Sequence, residues 1–209
     1  MSDCGCDIEE VEGLERRTLR VLLGINFTMF LAEAAAGWWG DSTGLLADSL
    51  DMLADATVYG IALYAVGRSA RVKTGAATAS GWFQLLLGLG VLVEVARRVL
   101  GASEPVSLLM ISVGAVALAA NVTCLVLIAK HRDAGVHMRA SWIFSTNDVI
   151  ANLGVILSGG LVMLLGTRIP DLVIGGVIAA VVVRGGFQIL REAKAERAKG
   201  EGRLSVKSE

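Results

Sequence analysis

Three aspartates, Asp48, Asp51 and Asp55, stand three and four residues apart in a stretch, 45–66, that is otherwise as apolar as a membrane span. Each residue of an α-helix advances about 100°, so the three carboxylates fall within about 60° of one another on one face. A carboxylate at the middle of a membrane helix costs about 2.5–3.5 kcal/mol to insert. Lipid offers nothing to offset that cost, so the face must look onto water, a cation or another helix. Mutual repulsion adds to it, and no Lys or Arg occurs on this stretch before Arg68. A mobile cation is the simplest partner. A fourth acid, Asp148, lies deep in a second long apolar stretch without a nearby cation and carries the same implication.

Other polar residues have milder readings. Cys4 and Cys6 form a Cys-x-Cys flanked by Asp3, Asp7, Glu9 and Glu10, a set able to hold a soft or borderline divalent ion. The alternative is a disordered tail with two incidental thiols. Asn26, Asn121 and Asn152, each inside an apolar stretch, suit interhelical hydrogen bonds as well as ligation. Glu94 precedes Arg97 and Arg98 by about one turn, which predicts a local ion pair. Glu33, near Trp38 and Trp39, is a candidate for an exit vestibule, and Arg184 is expected to snorkel. His131 and His137 fall in a basic loop and are expected as solvated groups with no ligand role.

The elements that must position these residues are membrane helices. Of the 209 residues 54% are hydrophobic, and 25 are glycine against two proline, as in tightly packed membrane bundles. A net charge of −1 makes no case for nucleic acid, and three cysteines (the third is Cys124) give no disulfide framework. The acidic N-terminus is not a cleavable signal peptide. Six apolar segments, approximately 17–39, 44–66, 77–99, 106–129, 140–165 and 171–190, each match the roughly 20 residues a bilayer demands. Fifteen Lys and Arg fall around the start of the first segment, in the second and fourth connections and after the sixth, against Arg97, Arg98 and Arg168 towards the other side. The positive-inside rule then predicts an all-α integral membrane protein with six transmembrane helices and both termini cytoplasmic. The expected divisions are a flexible cytoplasmic tail over 1–13, a transport domain over 14–190 and a short charged cytoplasmic tail over 191–209. That last tail can extend the sixth span as a polar helix and is too short to bury a core of its own.

Two stretches carry a family resemblance. The run Gly44-Leu-Leu-Ala-Asp48-Ser-Leu-Asp51-Met-Leu-Ala-Asp55 resembles the LLADxxHMLxD signature of the second span in the cation diffusion facilitator family of divalent-metal/proton antiporters. His137-Met-Arg-Ala-Ser-Trp-Ile-Phe144-Ser-Thr-Asn147-Asp148, followed by Asn152-Leu-Gly154, resembles its fifth-span signature, where a His and an Asp stand four apart. Asn26 with Glu33, and Asn121, also fit the family pattern. The resemblance implies a metal site near the midplane built here from Asp51, Asp55 and Asp148, with Asp48 a further acid beside it. It departs in four ways. The second-span His position is Asp51, the fifth-span His position is Phe144, a loop site between the second and third spans is missing, and no cytoplasmic domain is expected after the sixth span.

The expected function is efflux of a divalent transition-metal cation from the cytoplasm in exchange for protons by alternating access. Zn²⁺ or Cd²⁺ is favoured by family frequency, with Co²⁺, Mn²⁺ or Fe²⁺ compatible with oxygen ligands. Metal requires deprotonated carboxylates, so binding and proton release are linked. Phe144 cannot ligate, and another group must complete the shell. Angle alone favours Asn152 or Ser145. Asn147 is adjacent to Asp148 at the same depth and replaces a usually small residue, so its amide oxygen is the expected fourth ligand. No permanent cofactor and no enzymatic chemistry are expected, since no nucleophile–base pair or phosphate-cradling loop occurs. The resemblance further implies a homodimer through the transmembrane region and the cell (inner) membrane as location. Two alternatives share the acidic face: a membrane metal sensor or assembly protein that binds without transporting, and a proton-coupled exporter of organic cations.

Overall fold

The computed structural model describes the backbone of residues 4–39, 43–101 and 106–206, and the side chains of 11–35, 49–101 and 106–200. Among the described residues the chain forms six α-helices: α1 Cys4–Trp39, α2 Thr43–Ala65, α3 Ala70–Leu100, α4 Ser107–Ala129, α5 Val136–Leu165 and α6 Ile169–Val206. Among the described residues five segments are long and apolar enough to cross a membrane, from Val11–Ala35 in α1 to Ile169–Gly200 in α6. The 23-residue α2 is the helix that carries the three aspartates. Large apolar side chains face outward along the bundle, including Leu86, Leu89 and Val93 on α3, Leu108 on α4, Leu157 on α5 and Val173 on α6. A surface of that kind belongs in lipid rather than water.

The six apolar segments recur as helices, but several helices outrun them. Cys4 to Gly13, expected as part of a flexible tail, form the opening turns of α1. The charged segment after Leu190 continues α6 as far as Val206. Hydropathy marks where lipid contact begins, whereas a helix continues as long as nothing breaks it, and these Glu-, Lys- and Ala-rich runs contain no proline. For the same reason α3 starts at Ala70 rather than near 77, and α5 starts at Val136, so that His137 sits on a helix. The chain reverses after α5 at Gly166, whose left-handed backbone (φ 63°) suits a residue without a Cβ, and its N–H donates to the Val162 carbonyl.

The most extensive pairings are α3 with α6, α1 with α2 and α4 with α5. The α3–α6 pair approaches closely because small residues face each other. A Cβ on Gly88 would lie 2.6 Å from Val183 Cγ2 and 3.2 Å from the Val183 nitrogen. Contacts between helix ends define the two ends of the bundle. At one, Arg98 near the end of α3 meets Asp171 at the start of α6, with 2.9 Å between Nη1 and Oδ2. At the other, Arg16 of α1 donates to the Val66 carbonyl just after α2, and Arg139 of α5 lies 3.7 Å from Glu192 of α6. The start of α1 and the end of α6 belong to this second end.

Candidate cation site

The second end is sealed. Leu19 and Leu22 of α1, Tyr59 and Ala62 of α2, Val66, Cys124 and Ile128 of α4, and Met138 of α5 form one fully buried cluster there. Beside it Ala77, Ala140, Ile143, Ile189 and Ala193 tie α3, α5 and α6 together. From just above this seal a cavity of about 650 Å³ runs towards the opposite end. Its base is lined by Asp51 and Asp55 of α2, Gln84 of α3, Asn121 of α4, and Phe144, Asp148 and Asn152 of α5. Its far part is lined by Glu94, Arg98, Ser158 and Asp171.

At the base, Asp148 lies against Asp55 on the cavity wall, and Asp51 is close enough to add its charge. Two carboxyl groups so placed need a proton between them, or a cation in its place. Asp55 is buried, while Asp51 is exposed towards the cavity. Oδ2 of Asp148 is itself buried without a hydrogen-bond partner, an acceptor left available for a cation. Among the described residues no three His, Cys, Asp or Glu side chains close around a single point. The arrangement is therefore a carboxyl pair with a third acid beside it, open to a water-accessible cavity, rather than a closed cage.

The expected site residues divide accordingly. Asp51, Asp55 and Asp148 are brought together. Asn152 joins them on the cavity wall, with its amide nitrogen buried and unpartnered. Asn147 does not join them. It is buried on the face of α5 turned to α6, where its amide nitrogen occupies the space a Cβ would need at Gly185. The room implied at position 147 exists, but it opens onto α6. Helical angle, which separates Asn147 from Asp148 by about 100° and Asn152 by about 40°, outweighs sequence adjacency. Side chains of Asp48, Cys4 and Cys6 lie outside the described residues; their backbones belong to α2 and α1.

Glu94 forms the expected ion pairs, at 2.7 Å to Arg97 and 2.8 Å to Arg98. Glu33 is buried on α1 and is not among the residues lining the cavity. The histidine expectation fails for His137, which is 1% exposed because α5 begins before it and its ring turns inward among the helices. Three residues beside the acids carried no sequence expectation of a role: Tyr59, Cys124 and Gln84. Tyr59 follows Asp55 by one turn on the same face of α2, and a period of four would have found it. Its ring is fully buried next to Asp55, Cys124 and Ser145. Asn26 Nδ2 donates to the Cys124 sulfur at 3.3 Å, so Asn26 acts here as the interhelical partner expected of it.

Residues 19–196 match the family model described as the cation efflux transmembrane domain. The chain belongs to the cation efflux family. With several helices able to span a bilayer, it is a multi-pass membrane protein. It is similar to the zinc transporter ZitB of Yersinia pseudotuberculosis, at 23% identity over 197 residues, covering 88% of this chain and 63% of the relative. It is also similar to proteins named cadmium, cobalt and zinc/H(+)-K(+) antiporter. The one from Bacillus velezensis is 23% identical over 192 residues, covering 83% of this chain and 61% of the relative. The Bacillus subtilis protein is 20% identical over 196 residues, covering 87% and 63%. The chain thus spans less than two thirds of the length of these relatives.

Proposed function

We propose that this protein exports a divalent transition-metal cation from the cytoplasm in exchange for protons. The observation that carries the proposal is the approach of Asp55 and Asp148 on the wall of a cavity of about 650 Å³ inside the bundle. Protons and metal compete for the same oxygens there, because a carboxylate must be deprotonated to ligate. With six spans and both termini cytoplasmic, the sealed end faces the cytoplasm and the cavity opens outward. The structure then corresponds to the releasing side of an alternating-access cycle. Protonation of the pair from outside expels the ion, and a rocking motion returns the protonated carrier to the cytoplasmic side. In the inner membrane of the cell, two copies pair through the transmembrane region.

The ion proposed is Zn²⁺ or Cd²⁺, in line with the relatives' names. A pair of carboxylates with Asn152 and Asp51 would also admit harder ions such as Co²⁺ or Mn²⁺. Metal tolerance of cells stripped of their own exporters separates these ions. Expression of the chain is expected to raise tolerance to Zn²⁺ and Cd²⁺ by several-fold and to leave tolerance to organic cations unchanged. Tolerance gained only towards organic cations would overturn the metal assignment.

A further inference from the structure

The sealed end holds a pair of ionisable groups that the transport cycle above does not use. Glu15 on the first turns of α1 and His137 at the start of α5 face each other with side chains 3% and 0% exposed. Their nearest atoms, His137 Nε2 and Glu15 Oε2, are 3.6 Å apart, too far for a direct hydrogen bond. Both imidazole nitrogens and Glu15 Oε2 are buried without a hydrogen-bond partner. Of the basic residues nearby, Arg16 donates to the Val66 carbonyl, Arg139 pairs with Asp133 and Glu192, and the Lys73 side chain passes beside Gly135. Around the pair lie the apolar side chains of Leu19 and Met138, which offer a buried carboxylate no compensation.

A carboxylate and an imidazole held in this way have the donor types and the spacing of two ligands on one metal ion. Zinc binds imidazole nitrogen at about 2.0–2.1 Å and carboxylate oxygen at about 2.0–2.2 Å. Donors 3.6 Å apart then subtend about 120° at a shared ion, within the range of an open four-coordinate site. We propose that Glu15 and His137 form a second divalent-cation site, separate from the Asp55–Asp148 pair, that takes a borderline ion of the Zn²⁺ class. The imidazole disfavours Mg²⁺ and Ca²⁺, which prefer oxygen-only shells. An ion held there ties α1 to α5 across the sealed end.

The test uses the full chain in lipid nanodiscs, with Cys4→Ser and Cys6→Ser to remove competing thiols and Asp148→Asn to weaken the central pair. Zn²⁺ and Co²⁺ alone are the probes, read by bound-metal stoichiometry and X-ray absorption. The protein is expected to retain one ion whose absorption spectrum shows a single imidazole ligand. His137→Gln should abolish that ion and Glu15→Gln should weaken it at least about tenfold, while neither changes the central site in a chain that keeps Asp148. Absence of imidazole scattering in the chain that retains His137 would overturn the proposal, and needs no variant of the buried pair to fold. So would a residual ion indifferent to His137→Gln. In either case the pair holds no metal.

Discussion

Asp148→Ala and Asp55→Ala, made singly, are each expected to lower metal uptake by everted vesicles at least about a hundredfold while the protein stays inserted. The two carboxyl groups lie together, and Asp148 Oδ2 has no protein partner to take over its role. Removing either acid leaves the other with a single unshared charge, halving the donor set and ending the competition between metal and proton at common oxygens. A hundredfold corresponds to about 2.7 kcal/mol, in keeping with deletion of one charged ligand from a buried site. Asp51→Ala should cost less, because that side chain is exposed on the cavity wall. Rates within about twofold of wild type for both Asp55→Ala and Asp148→Ala would exclude the pair as the site.

The second expected effect separates the two asparagines of α5. Asn152→Ala should weaken apparent metal affinity about tenfold, or about 1.4 kcal/mol, whereas Asn147→Ala should change it less than about twofold. Asn152 lines the cavity one turn from Asp148, and its amide presents a neutral oxygen that adds no titrating group. Asn147 packs against Gly185 of α6, so its loss is felt as a packing defect at the α5–α6 contact. Its variant should therefore lower the thermal stability of the protein more than its affinity. The reverse order of affinities, with Asn147→Ala the weaker binder, would show that α5 turns its other face to the ion during transport.

Much of the architecture was legible in the sequence because membrane helices announce themselves by length. Apolar segments near 20 residues and the Gly-Asp-Ser, Arg-Lys and Gly-Pro breaks between them located every helix. The ends of α1, α3 and α5 were not legible, since their polar extensions carry no hydropathy signal, whereas the polar extension of α6 was expected from its Glu-, Lys- and Ala-rich composition. The acids of α2 and α5 stood out for a related reason: a carboxylate in an apolar run has few bland explanations. Neutral polar residues have many. Whether Asn147 or Asn152 reaches the acids depends on which face of α5 meets α6, and a single chain does not state that. His137 was misplaced because a basic loop and the first turn of a helix look alike until Glu15, more than a hundred residues away, is seen to pack against it.

The central claim is that metal and protons exchange at the Asp55–Asp148 pair, and coupled flux in proteoliposomes tests it most directly. Purified protein would be reconstituted with a pH-sensitive dye and a Zn²⁺-sensitive dye on the two sides of the bilayer. Zn²⁺ movement in one direction is expected to be matched by proton movement in the other. An imposed proton gradient alone should drive Zn²⁺ uphill, and both fluxes should vanish together in Asp148→Ala. Zn²⁺ flux that ignores the proton gradient, or that persists in Asp148→Ala, would contradict the account.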